Sequence, residues 1–211
     1  MQRAIGVKDF LKRKFVCYEF DGEWAATFGQ PETNFKMIVY GKSGNGKTEF
    51  CIKFCKYCSR FAKVYYNSFE QGVSKSLQDA LIRNDMQEVE GAVIFGDKES
   101  LPEMIIRLKK KHSPRIVVID SRDYMNLKAD EFKLLVETFP HIAFVIICWE
   151  SSGKPKGEPA KDMEFMCDIK VRVDKFVAHP RSRFGGNVPF VIWKRNATTT
   201  QEEKPAQGQL F

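Results

Sequence analysis

Apolar runs and amphipathic stretches alternate along most of this chain. Met37–Tyr40 is a short apolar run that ends in a glycine-rich turn. Beyond the turn, Phe50, Cys51, Phe54, Cys55, Cys58, Phe61 and Ala62 recur at helical spacing, which turns one helix face toward a core. Val64–Asn67 reads as a strand and Val73–Arg83 as a helix, with Val73, Leu77, Ala80 and Leu81 on its inner side. Ala92–Phe95, bounded by Gly91 and Gly96, is the next strand. A helix follows over Leu101–His112, and its basic end suits the negative pole of the helix dipole. The fully apolar run Ile116–Ile119 then delivers Asp120, and a helix over Ala129–Thr138 leads into a last apolar strand, Ala143–Cys148.

Strands covered on both faces read as continuous apolar runs. Five of them, separated by helical stretches, predict an α/β fold with a mainly parallel central sheet and helices on both faces. After Trp149 the pattern changes. Glu150–Lys161 is rich in Gly, Pro and Lys and reads as a loop, while Asp168–Ala178 and Val188–Lys194 alternate and are expected as a C-terminal antiparallel extension of the sheet. Thr198–Ala206 is polar and without period. The expected organisation is one domain over 1–197 and a flexible tail over 198–211, with no internal repeat.

Composition adds a few bounds. With 211 residues, 43% hydrophobic and 29% charged, the chain can bury a sizeable core, and 18 phenylalanines argue that the core is well filled. The net charge of +7 favours an anionic partner such as nucleic acid, although such an excess also sits on ordinary solvated surfaces. No run approaches the roughly 18 apolar residues of a membrane helix, and the basic segment 1–14 has no apolar leader core, so no membrane contact and a cytoplasmic location are expected. The six cysteines fit a reducing compartment. Cys51, Cys55 and Cys58 share a helical face, which reads better as a core face than as a metal site because no fourth ligand is near in sequence.

The most specific chemical signal is Gly41-Lys42-Ser43-Gly44-Asn45-Gly46-Lys47-Thr48, a complete G-x-x-x-x-G-K-[ST] between a strand and a helix. Such a loop folds its backbone N–H groups around phosphates at a helix N-terminus. Lys47 is expected to reach the β- and γ-phosphates of ATP, and the Thr48 hydroxyl to ligate magnesium. The run Arg115–Ser121 carries Asp120 to the carboxyl end of a buried strand, where open α/β sheets bind ligands. Asp120 is expected to hold the magnesium, its alternative being to cap the next segment, and Ser121 is a weaker candidate for orientation. Glu70, just past Val64–Asn67, is a candidate for polarising the attacking water, and an exposed loop glutamate reads equally well there.

These segments together resemble the RecA-fold P-loop ATPases, and most closely the RadA/Sms group and the hexameric helicase motor domains. Gly41–Thr48, Lys63–Glu70 and Val117–Ser121 are similar to their Walker A, catalytic-glutamate and Walker B segments, in that order. The resemblance implies a RecA-like fold, ATP hydrolysis with magnesium, Glu70 as the water-activating residue, and a homo-oligomer. More weakly, Asp162–Asp168 is similar to the family's L-E-H-M-V-D stretch and Arg181–Gly185 to its K-N-R-F-G motif. This implies that Arg181 or Arg183 reaches a neighbouring subunit's γ-phosphate, an ordinary basic turn being the alternative. The sequence departs from the group in lacking the zinc-finger and protease-like regions, and in reading Ile147–Ser152 where the group has G-H-V-T-K. A stripped-down ATPase of replication, recombination or repair, of the kind a phage or mobile element encodes, fits better than a complete recombinase.

In RecA-like proteins the loop corresponding to 151–161 often touches single-stranded DNA, and here it carries Lys154, Lys156 and Lys161, with Trp149 beside it. The last residues, Gln207-Gly208-Gln209-Leu210-Phe211, are similar to the Q-x-x-L-F peptide that docks on the sliding clamp, with Gln207, Leu210 and Phe211 as anchors. Two other readings stay open: a P-loop kinase of small molecules, and a nucleotide-switched adaptor that hydrolyses slowly.

Overall fold

A computed structural model describes residues 4–193. The tail 198–211, with Gln207, Leu210 and Phe211, lies outside the described residues. In chain order the helices are α1 (Val7–Leu11), α2 (Gly22–Phe28), α3 (Lys47–Cys58), α4 (Lys75–Arg83), α5 (Leu101–Leu108), α6 (Arg122–Met125), α7 (Ala129–Thr138) and α8 (Glu158–Met166). The strands are β1 (Lys36–Gly41), β2 (Val64–Ser68), β3 (Val93–Asp97), β4 (Ile116–Asp120), β5 (Ala143–Ser151), β6 (Lys154–Pro155), β7 (Ile169–Asp174), β8 (Val177–Ser182) and β9 (Phe190–Val191).

The sheet runs β3-β2-β4-β5-β1-β7-β8-β9, with β6 attached to β5. From β3 to β7 every pairing is parallel, and β8 and β9 are antiparallel. The mainly parallel sheet with an antiparallel C-terminal edge is therefore present, with two changes: within the described residues the strand expected over Val188–Lys194 is only β9, and an earlier one changes boundary and direction. The stretch Asp168–Ala178 is not one antiparallel strand. It holds β7, parallel to β1, and a tight turn at Lys175-Phe176 that opens β8. Both turn residues have positive φ, 47° and 62°, which lets the hairpin close in two residues.

The alternation within β1 splits the core. Met37 and Val39 face a cluster under α2, α3 and α4, while Ile38 and Tyr40 face a second cluster under α5, α7 and α8. The central strands are buried throughout, as their unbroken apolar runs require. Cys51, Cys55 and Cys58 lie in the first cluster as free thiols, so their shared face is core. Val73 departs from the expected pattern. It is 81% exposed, because α4 starts only at Lys75 after its cap Ser74, whose hydroxyl accepts from Leu77 N–H.

Four helices, α1, α2, α6 and α8, escape the sequence pattern, and two of them show why. The loop expected over Glu150–Lys161 contains instead the β5–β6 hairpin and the first turn of α8, with Pro159 in that first turn, where its missing N–H costs nothing. The other is α2, whose Trp24 and Phe28 enter an aromatic cluster with Phe20, Phe50, Phe54 and Phe190. Asp21 ties this segment to α3 by accepting from the Tyr57 hydroxyl at 3.0 Å and from Arg60 at 2.8 Å. Phe54, 1% exposed, touches five rings of the cluster, those of Phe20, Trp24, Phe28, Phe35 and Phe50. Phe54→Ala should cost about 3–5 kcal/mol of stability, read as a lower denaturant midpoint with an unchanged slope in urea unfolding.

Candidate functional site

The parallel strands bring the carboxyl ends of β1, β2 and β4 to one edge, and the chemistry-bearing residues gather there. Gly41–Gly46 leaves β1 and enters α3, with Gly46 as its N-cap at φ 99°. A side chain at Gly46 would strike the Phe176 ring at 2.9 Å, and one at Gly41 would strike the Val173 carbonyl oxygen at 2.2 Å. Glycine at these two positions thus lets the loop lie flat against β7 and the β7–β8 turn. Asn45 fastens it: its side chain donates to Asp174 at 3.2 Å, and its carbonyl accepts from the Phe176 N–H at 3.2 Å. Lys42, Ser43 and Gly44 form the exposed outer rim. Lys47 Nζ donates back to the Gly41 and Lys42 carbonyls at 2.8 and 3.1 Å, which holds the ammonium at the mouth of the loop.

Asp120 lies beneath, 2% exposed. Its Oδ2 accepts from the Thr48 hydroxyl at 3.4 Å and from the buried Tyr66 hydroxyl in a short hydrogen bond. Burial pushes the Asp120 carboxyl up to about 6, the Glu70 charge adds to the rise, and Tyr66, Lys47 and Thr48 oppose it. Burial likewise holds the Tyr66 hydroxyl well above the usual phenol range, so it stays a donor. Asp120 does not cap the following helix, since the N-cap of α6 is Ser121. The Ser121 hydroxyl is buried with no hydrogen-bond partner among the described residues. A buried hydroxyl of that kind fits a further oxygen ligand. Thr48 and Asp120, in contact with each other, are hard oxygen donors of the kind that suits a small dication, so these residues fit magnesium.

Glu70 is placed by main chain. Phe69 and Glu70 N–H both donate to the Asp120 carbonyl, the latter at 2.8 Å, so the turn after β2 is fixed to the end of β4. Glu70 is half-buried and lines two cavities that flank the loop. One, of about 270 Å³, runs from Gly44–Thr48 past Arg83 to Phe176 and Trp193. The other, of about 370 Å³, lies between Gly41–Ser43 and Trp149, Glu150 and Lys156.

Lys47, Thr48, Glu70 and Asp120 are thus brought together. Arg181 and Arg183 are not. Arg181 pairs with Lys170 within the hairpin, and Arg183 meets Asp168 at the start of β7, its guanidinium 3.4 Å from the carboxylate. Both stand away from their own loop. The lysines of 151–161 also divide: Lys156 Nζ lies 4.7 Å over the Trp149 ring, beside the loop, whereas Lys154 and Lys161 face a different cavity.

Three residues at the site carry no local sequence signal. Phe176 lies against Gly46, Trp193 meets the Phe176 ring edge-on at 6.5 Å, and Arg83 stacks over Trp193 at 5.7 Å. Glu49, the residue after Thr48, holds this wall by accepting from Asn84 at 2.7 Å and Arg83 at 3.2 Å. The trace in the sequence is two aromatic residues late in the chain, Phe176 and Trp193, and nothing local says that they fold back over the loop.

No protein-family model matches the chain, and no curated protein matches its sequence. Solved structures do. The flagellar accessory protein FlaH from Methanocaldococcus jannaschii superposes with a TM-score of 0.53 at 9% identity, covering 75% of this chain and 80% of that one. A KaiC-like protein, PH0186, from Pyrococcus horikoshii OT3 gives a TM-score of 0.48 at 18% identity, with 67% and 72% covered. Strand order, loop and superposition agree: the chain has the RecA-like P-loop fold.

Proposed function

We propose that this chain is a magnesium-dependent ATPase that works on or alongside DNA, with single strands favoured. The observation that carries the reading is the convergence of Lys47, Thr48, Asp120 and Glu70 on one edge, each held by other residues. The loop N–H groups and Lys47 bind the phosphates. Thr48 and Asp120 would hold magnesium, which neutralises charge on the β- and γ-phosphoryl oxygens when bound. Glu70 orients a water in line with the γ-phosphorus and accepts its proton as the bond to ADP breaks. The aromatic wall of Phe176 and Trp193 offers the base a stacking surface. Arg181 and Arg183, remote from their own loop, suit a contact across a subunit boundary. The tail with Gln207, Leu210 and Phe211, outside the described residues, stays part of the proposal as a clamp-docking peptide. Glu70, set for water rather than another acceptor, disfavours the kinase reading.

Lys47→Ala should abolish nucleotide binding. Glu70→Gln should keep binding, measured with a fluorescent nucleotide, while phosphate release falls by about two to four orders of magnitude. Wild-type turnover in Glu70→Gln would remove that residue from the mechanism. Single-stranded DNA should change the turnover rate at low salt, with the effect fading as salt rises; a flat response at low salt would count against DNA coupling.

The buried carboxylate gives a test independent of turnover. A carboxyl near 6 in the fold and near 4 in the free chain destabilises the folded state by on the order of 3 kcal/mol above pH 6. That cost shrinks as pH falls through the same interval and is gone below about 4. In magnesium-free buffer Asp120→Asn should therefore melt higher than wild type at pH 8, with the gap closing toward pH 4. An equal melting temperature at pH 8 would mean the carboxylate is not strained there.

A further inference from the structure

The two cavities that flank the glycine loop differ in their walls. In the sheet β1 lies between β7 and β5. The cavity on the β7 side reaches Phe176 and Trp193, the wall given to the base above. The cavity on the β5 side sets Tyr124, Trp149, Glu150 and Lys156 against Gly41–Ser43, and Glu70 is common to both. A triphosphate whose base lies on the wall and whose phosphates follow the loop ends toward β5. Its γ-phosphoryl group then faces the second cavity.

Lys156 is the cation that reaches this cavity from beyond the loop. Its N–H donates to the Trp149 carbonyl at 2.8 Å, which returns the end of the β5–β6 hairpin to the glycine-loop edge. Trp149 is held in turn: its N–H donates to Asp123 at 2.8 Å, and its ring meets Tyr124 edge-on at 5.4 Å. Lys156 Nζ rests over that ring at 4.7 Å and has no ion pair among the described residues. Of the two carboxylates in the lining, Glu150 is taken by Arg172. An exposed cation on an aromatic face is stabilised by only about 0.5–1 kcal/mol, whereas charge-assisted hydrogen bonds to phosphate oxygens are among the strong ones. The ammonium is therefore easily drawn off the ring by an anionic oxygen.

We propose that Lys156 is a catalytic residue supplied by the same chain, its ammonium leaving the Trp149 ring to donate to a γ-phosphoryl oxygen in the transition state. The proposal rests on the ATPase reading above. In the step, the water oxygen bonds to the γ-phosphorus and the bond to ADP breaks, leaving its electron pair on the ADP oxygen. Glu70 takes the water's proton. Lys156 keeps its own protons and contributes charge alone, placed where charge spreads over the phosphoryl oxygens. Position separates it from the other lysines of its segment: Lys154 and Lys161 face a different cavity, and Lys156 shares its cavity with Glu70 and the loop.

Turnover is measured on the full chain in magnesium buffer without DNA, beside binding of fluorescent ADP alone and of ADP with aluminium fluoride, which mimics the transferring phosphoryl group. Lys156→Gln should lower kcat about a hundredfold with KM for ATP unchanged. It should keep the wild-type affinity for ADP and weaken the aluminium fluoride complex by about the same hundredfold. Lys156 is exposed, and a thermal melt equal to wild type establishes that the variant is folded. Wild-type kcat and analogue affinity in Lys156→Gln, with the wild type hydrolysing ATP, would overturn the role of Lys156 and leave the ATPase reading standing. Equal weakening of ADP and of the analogue would overturn it as well, because the contact would then belong to the ground state. A variant altered only in its affinity for single-stranded DNA would overturn it in favour of the strand. A wild type that neither hydrolyses ATP nor holds the analogue more tightly than ADP would overturn both readings together.

Discussion

One buried carboxylate organises the glycine-loop edge of this molecule. Asp120 is carried there by four apolar residues that have no choice but to be interior strand. Its side chain gathers the hydroxyls of Thr48 and Tyr66, and its carbonyl gathers the N–H groups of Phe69 and Glu70. The same residue therefore sets the start of α3 against β4 and fixes the turn that presents Glu70. An ion in so dry a place is costly unless it is compensated, and two neutral donors compensate only in part, which is why its carboxyl sits near 6.

How much of this could be read from the residues follows from how locally each feature is determined. Ile116–Asp120 and Ala143–Cys148 are legible because burial on both faces needs an unbroken apolar run, whatever surrounds it. The loop Gly41–Thr48 is legible because its glycines are required locally: Gly41 lies against the Val173 carbonyl and Gly46 against the Phe176 ring, where a side chain has no room. β7 is misread for a physical reason: Ile169, Val171 and Val173 face the core while Lys170 and Arg172 face the cavity beside α8, and alternation reports one open face, not the direction of the neighbouring strand. α8 hides behind Gly157 and Pro159, which look like loop until one knows that they start a helix. α2 is short, and Trp24 and Phe28 gain their burial only from α3 and Phe190, which are distant in sequence.

The wall made by Phe176, Trp193 and Arg83 shows the limit most plainly. Phe176 reaches the loop because Lys175 and Phe176 turn back in the left-handed region and Asn45 accepts the new edge. Arg83 reaches Trp193 because Glu49 and Asn84 hold the end of α4 against the start of α3. Each contact joins segments far apart in the chain, and no window of sequence contains both partners.

Glu150 and Arg172 link two cavities through an ion pair. Glu150 ends the buried run of β5 and lines the cavity beside Gly41–Ser43 and Glu70, while Arg172 lines the cationic cavity that Lys154 and Lys161 face. Their two hydrogen bonds at 3.0 Å span β1, which lies between β5 and β7 in the sheet. The Glu150 side chain is 2% exposed and that of Arg172 is 37% exposed, so the carboxylate is the desolvated partner and depends on the guanidinium more than the reverse. Charge placed in the cationic cavity near Arg172 must compete with Glu150, and charge placed at the glycine loop is felt by Glu150. An arginine suits this post better than a lysine, because its planar fork holds the carboxylate with two donors and leaves others facing the cavity. The pair is a physical junction between the glycine-loop edge and the cationic cavity.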